Sequence, residues 1–204
     1  VVPGRTKDTI VLCSYLDGPG QASETLSGVL IGLKVINELQ NIKTKHTYRL
    51  LILSGPAGLA SWISQNEEFI SSVKGILNLR CLGSAFPHNL QLSNFLGTVF
   101  EKVCKTVTQK IDPEGQLTTE GKFFDALPSG ENPLYINSRN DYELPILTLY
   151  RSSSESDLHY PYFGYQTSLD NVEYVDCNAM KESSYLLSSI IAELEGNELL
   201  EKYL

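Results

Sequence analysis

Histidine is scarce in this chain, with three among 204 residues, alongside one methionine, one tryptophan and four cysteines. So few imidazoles leave little material for a metal centre built from His, Cys, Asp and Glu. Cys13, Cys81, Cys104 and Cys177 form no Cys-x-x-Cys pair, and none lies beside a histidine at finger spacing. That excludes a zinc finger. Set in apolar or helical stretches, all four read as reduced, buried structural thiols, which implies an intracellular, cytoplasmic location. No apolar window approaches the roughly 20 residues that a membrane span needs. Basic residues are the minority, 16 against 24 acidic, for a net charge of -8. Phosphate backbones and anionic lipid repel such a chain, so neither nucleic acid nor a membrane surface is expected as a partner. The opening Val1-Val2-Pro3-Gly4 carries no initiator Met, charged leader or apolar leader core, so the chain reads as part of a longer protein with flanking domains.

What is present is a pattern. With 42% hydrophobic and 20% charged residues, the length suits one compact domain over residues 1–204. Thr9 to Ser14 is a continuous apolar run, the mark of a strand covered on both faces. Gly18-Pro19-Gly20 ends it. Val29, Leu30, Leu33, Ile36 and Leu39 then recur at helical spacing, with Ser23 or Thr25 available as a cap. A second strand is expected over Tyr48–Ser54, a short helix carries Leu59, Trp62 and Ile63, and a third strand covers Val73–Cys81. Leu90 to Lys110 reads as one long amphipathic helix. Gly, Pro, Asn and Asp crowd Ile111 to Asp141, which reads as loop or irregular edge structure. A fourth strand follows at Leu144–Tyr150, then a tyrosine-dense loop, a helix from about Cys177 to Leu194, and a short turn over Glu198–Leu204. Strands alternating with helices predict a three-layer α/β/α sandwich around a mostly parallel sheet. Ligands of such sheets bind outside the carboxyl ends of the strands.

Four segments lie there, and together they carry a resemblance. Asp8-Thr9-Ile10-Val11-Leu12-Cys13-Ser14-Tyr15-Leu16-Asp17, followed by Gly20-Gln21-Ala22-Ser23-Glu24-Thr25-Leu26-Ser27-Gly28, resembles the opening of zinc-dependent aminopeptidases of the di-zinc exopeptidase type. It is most similar to bacterial aminopeptidase-like domain proteins of that superfamily. Gly75 to Gly83 continues the likeness, and Tyr165-Gln166-Thr167-Ser168-Leu169-Asp170-Asn171 resembles the family's terminal His-Thr-x-x-Asp loop. The segments keep the family's order across nearly the whole chain.

The resemblance implies a zinc site that the residues do not supply. About five ligands and a proton-accepting glutamate are needed. The first histidine falls on Tyr15, the bridging aspartate on Glu24, and the adjacent glutamates on Gly55 and Pro56. The next carboxylate falls on Arg80 or Ser84, and the last histidine on Gln166. Ser129-Gly130-Glu131-Asn132 keeps only the glutamate of another family stretch. Asp17, which in the family orients the first histidine, is retained. The expectation is therefore a catalytically inactive pseudoenzyme without a cofactor. Its degenerate cleft, formed by Tyr15, Asp17, Glu24, Arg80, Gln166, Tyr162 and Tyr165, would bind a protein partner or a small peptide or sugar-like ligand. Arg80 either takes the place of the metals and pairs with Asp17 or Glu24, or it points to solvent while Glu24 serves the following helix.

Two other readings stand beside this one. A relocated zinc site would use Asp17, Glu24 and His159 in an active metallo-aminopeptidase or amidohydrolase. A structural dimerisation domain would use the closing helices as its contact surface. His46 and His88 read as solvated loop residues, Ser152-Ser153-Ser154 as a solvated loop, and Glu67-Glu68 as an exposed helix face.

Overall fold

A computed structural model describes residues 1–17, 21–92, 97–118, 144–154, 157–159 and 161–196. Strand β1 (Thr9–Tyr15) leads through a π-helical turn (Ala22–Leu26) into helix α1 (Ser27–Leu39). There follow β2 (Thr47–Leu53), α2 (Gly55–Gln65), the single turn α3 (Glu67–Ile70), β3 (Val73–Leu79) and β4 (His88–Gln91). The chain continues with α4 (Val99–Ile111), β5 (Leu117–Thr118), β6 (Ile146–Arg151) and α5 (Cys177–Glu195). The sheet order is β2-β1-β3-β6-β4-β5. The pairs β2–β1, β1–β3 and β3–β6 are parallel, β4 runs antiparallel to β6, and β5 is parallel to β4.

The apolar runs explain the layers. Alternate residues of β1 point to opposite faces. Ile10 and Leu12 join Leu77, Leu79, Leu147 and Leu149 against Ile31, Val35 and Leu39 of α1, Phe100 and Cys104 of α4, and Leu187 and Ile190 of α5. Val11, Cys13 and Tyr15 face the other way, with Ile76 and Ile146, against Leu59, Ile63 and Ile70. Helices thus cover both faces of the sheet, as the continuous runs require.

Two expectations are corrected. Leu90 does not open a long helix. Residues His88–Gln91 form a short strand between β6 and β5, and the helix starts at Val99, where the Thr98 side chain accepts from Glu101 N at 3.1 Å. Helical spacing and a short strand share the same few apolar residues there, and pairing with β6 decides between them. Cys177 is exposed at the start of α5, whereas Cys13, Cys81 and Cys104 are buried. The turn expected over Glu198–Leu204 lies outside the described residues.

Consecutive strands leave β1 in opposite directions, β2 to one side and β3 to the other. The crevice between the carboxyl ends of β1 and β3 is therefore the topological switch point. Helix α1 approaches this point closely. A Cβ on Gly28 would lie 2.3 Å from the Leu79 carbonyl oxygen and 2.7 Å from Ser14 Oγ. Gly28→Ala is therefore expected to destabilise the domain by about 1–3 kcal/mol. The change should appear as a lower urea midpoint at constant m, and an unchanged midpoint would show that α1 can back away from β3.

Candidate functional site

Tyr15 ends β1 and Arg80 follows β3, so the sheet brings their side chains together at the switch point. Glu24 arrives on the π-helical turn. The Arg80 guanidinium (Nη2) donates to Glu24 Oε1, and both residues are all but closed to solvent, 3% and 1% exposed. The guanidinium carbon also sits 5.5 Å from the centre of the buried Tyr15 ring, a cation–π contact. The turn is tied to the same strand end through its backbone, with Cys81 N donating to Glu24 O at 2.8 Å. Burial pushes the Glu24 carboxyl above its ordinary range, and the Arg80 charge pulls it back. The positive charge in hydrogen-bond contact favours the ionised carboxylate. Of the two fates open to Arg80, pairing with Glu24 is the one observed. Asp17 is exposed and not engaged by it; Asp17 Oδ2 lies where a Cβ on Gly55 would sit, 2.6 Å away.

The residue that organises the turn is Asp170. Ser23 N and Glu24 N donate to its two carboxylate oxygens at 2.8 and 3.1 Å, and Tyr162 OH donates to Oδ2 at 2.9 Å. Neither Ser23 nor Thr25 caps the helix, and Thr25 Oγ1 instead donates to Gln21 O. A carboxylate 146 residues away in sequence does the capping. The last residues of the Tyr165–Asn171 motif contain Asp170, but a sequence pattern carries no sign of what it reaches.

The cleft expected from seven residues is largely filled by its own side chains. Tyr15, Glu24, Arg80 and Tyr162 are buried, Tyr165 is half-buried, and Asp17 and Gln166 are exposed. Tyr162 stacks on Tyr174 with centroids 5.0 Å apart and meets Tyr165 edge-on at 5.5 Å. These rings pack together with Cys81 and Tyr150. Elsewhere in the tyrosine-dense loop, Phe163 is exposed and Tyr160 lies outside the described residues. Gln166 sits in the left-handed region at φ 56°, a strained conformation for a residue with a side chain. Burial holds the Cys13 thiol up at about 12 and that of Cys81 well above the ordinary range, so neither is a nucleophile at neutral pH.

These residues do not fit the zinc that the resemblance implies. A guanidinium stands between the only carboxylate of the set that points inward and the phenol that replaces the first imidazole. Glu131 lies outside the described residues, and Ser84 is buried with its hydroxyl donating to Cys81 O at 3.2 Å. Among the described residues, no three His, Cys, Asp or Glu side chains come together in an arrangement that could hold a metal ion.

A second polar cluster corrects the reading of His88 as a loop residue. His88 starts β4 and is buried. Its Nδ1 meets Asp112 Oδ2 at 2.8 Å, and its Nε2 lies 2.9 Å from Ser183 Oγ. That connectivity resembles a Ser–His–Asp triad, but the protons are placed otherwise. Arg151 Nε donates to His88 Nε2 at 3.0 Å and occupies the lone pair a general base would need. Ser183 is fully buried and donates to Leu82 O at 3.1 Å. The Arg151 guanidinium (Nη2) also meets Glu182 Oε2 at 2.5 Å, beside a cavity of about 370 Å³ lined in part by Phe86, Glu114 and Asp176.

The remaining histidines are also placed. His46 is half-buried rather than solvated, with Nδ1 2.9 Å from Glu195 Oε1, which also accepts from Tyr48 OH at 2.8 Å. His159 is exposed and meets the Phe163 ring edge-on at 5.0 Å. Ser152 is buried, its hydroxyl accepting from Asn89 Nδ2 at 2.9 Å, whereas Ser154 is exposed. Glu67 and Glu68 are exposed on α3, as expected.

The fold is that of the zinc aminopeptidase-like superfamily. The crystal structure of a zinc aminopeptidase from Bacillus subtilis superposes with a TM-score of 0.74 at 14% identity, covering 95% of this chain and 48% of that one. The chain belongs to the family described as Domain of unknown function (DUF4910), whose model matches residues 1–197. It is 26% identical over 196 residues to a Clostridium acetobutylicum protein whose name provisionally assigns it to polysaccharide biosynthesis and gives it an aminopeptidase-like domain. The match covers 96% of this chain and 42% of that relative, so this chain spans less than half of the relative's length. The crystal structure of a C. acetobutylicum protein provisionally named a peptidase superposes with a TM-score of 0.79 at 26% identity, over 95% of this chain and 43% of that one.

The His88 cluster predicts a pH response. Burial and the Arg151 charge hold the imidazole down at about 4, against the pull of Asp112 and Glu182. The unfolded chain, with histidine near 6.5, binds the proton first as the pH falls. The contribution of His88 is therefore intact above pH 6.5 and is lost between about 6.5 and 4, amounting to about 3 kcal/mol. Urea unfolding at pH 7, 5.5 and 4.5 measures this loss. His88→Gln should flatten that part of the profile, and an unchanged profile would remove His88 as its source.

Proposed function

We propose that this domain is a catalytically inactive member of the aminopeptidase-like superfamily that serves as a binding or scaffold module within a larger protein. The observation that carries this reading is the Arg80 guanidinium seated on Glu24 beneath Tyr15. Two consequences follow from that one pair: the carboxylate best placed to ligate a metal already has its counter-ion, and the added positive charge repels a divalent cation. Independently, Gly55 has no side chain to take a proton from water. The alternative site of Asp17, Glu24 and His159 meets the same obstacle at Glu24, and His159 lies exposed against Phe163.

The binding role is supported by what remains open around the closed pair. Asp17, Gln166, Phe163 and half-buried Tyr165 are offered to a partner or to a small peptide or sugar-like ligand. The polysaccharide connection in the Clostridium relative's name makes sugars the first class to try. A contact role for the closing helix has one observation in its favour: Tyr185 of α5 and Leu30 of α1 are both exposed, beside a groove of about 190 Å³.

Metal content is the decisive measurement. Protein prepared without chelator is expected to hold far less than one zinc per chain and to leave aminoacyl-anilide substrates uncut. Stoichiometric zinc together with cleavage would overturn the proposal. If metal is absent, a specific sugar or peptide should raise the melting temperature with its concentration. A flat response across amino acids, peptides and sugars, with a stable dimer in light scattering, would move the role to the α1–α5 face.

A further inference from the structure

We propose that the switch point is a built-in cation site, and that the guanidinium of Arg80 is the cation it was shaped to hold. The inference deepens the metal-free reading above and rests on it for the identification of this crevice as the former metal position.

Glu24 is closed to water, and its backbone N–H donates to the Asp170 carboxylate, which brings a second acidic side chain to the same turn. Asp170 is itself fully buried. A buried carboxylate is costly without a positive charge beside it. Arg80 supplies it by a hydrogen-bonded ion pair with Glu24, and the face of the Tyr15 ring supplies further attraction. The shape of the site also suits a planar, weakly hydrated cation better than a compact one. Aromatic stacking on one side and a carboxylate on the other match guanidinium, whereas an ammonium keeps a strong claim on water.

The turn depends on this charge for its position. Glu24 O accepts from Cys81 N, the residue next to Arg80, and Cys81 itself is held at φ 54°. Without the cation, the carboxylate must either take up a proton or pull away towards water, and either change loosens Ala22–Leu26 from the strand end. The chain thus carries in covalent form the positive charge that a metal enzyme would acquire from solution, and folding needs no metal.

A charge-deletion cycle tests this. Arg80→Met keeps an unbranched side chain but removes the charge. It is expected to lower Tm by roughly 10 °C, the scale for orphaning one member of a buried pair in a domain of this size. Arg80→Met combined with Glu24→Gln removes both charges and is expected to recover more than half of that loss. Millimolar methylguanidinium chloride should raise the Tm of Arg80→Ala above that seen with equal tetramethylammonium chloride, and should leave the wild type unmoved. If Arg80→Met melts with the wild type, or the double variant is no better than the single one, Arg80 acts by volume alone and the proposal fails. Should Arg80→Met not fold, a folded double variant still supports the proposal, and an unfolded one overturns it. Zinc binding by wild-type protein would instead strike at the metal-free function, which separates the two failures.

Discussion

A buried arginine and a buried glutamate meet where the central sheet reverses its winding, and the local architecture follows from the need to keep that pair together. Neither charge has water to fall back on, so each fixes the other's position. Glu24 brings the Ala22–Leu26 turn with it, the turn sets the entry of α1, and α1 then lies so close to β3 that only glycine fits at position 28. Asp170 adds a second tie from the far end of the chain by capping the same turn. The ion pair and the Asp170 cap together link β1, β3, α1 and the loop before α5.

The same crevice is where α/β sheets of this kind place their chemistry, and here it has been closed rather than merely emptied. A phenol ring, a guanidinium and a stack of tyrosines occupy it. Asp17, Phe163 and Gln166 are left exposed, and a separate cavity lies beside Arg151. The cluster around His88 shows how far connectivity can mislead. Serine, histidine and aspartate are in hydrogen-bond sequence, yet an arginine N–H fills the acceptor position that a catalytic base would need. It works as a buried neutral strut, sensitive to acid.

Much of the sheet could be read in advance, since continuous apolar runs such as Thr9–Tyr15 admit few interpretations once a chain is long enough to cover both faces. Strands β1, β2, β3 and β6 and helices α1 and α5 lie where the apolar pattern places them. The short strand His88–Gln91 was not legible, because four residues cannot show a period and only pairing with β6 and β5 makes them a strand. Burial of polar side chains was equally hidden. His88 and His46 are polar residues in turn-like sequence, and nothing local indicates that Asp112 and Glu195 come to meet them.

Residue chemistry at fixed positions was settled by sequence alone. Tyr15, Glu24, Gly55, Arg80 and Gln166 are what they are before folding, and their mismatch with a zinc ligand set follows from that. Tertiary structure decided how the mismatch is resolved. Whether Arg80 faces solvent, Asp17 or Glu24 depends on the register of β1 against β3 and on Asp170 pinning the turn from 146 residues away. Ion pairing is a short-range, through-space property, and a linear pattern contains the charges but not the distances between them.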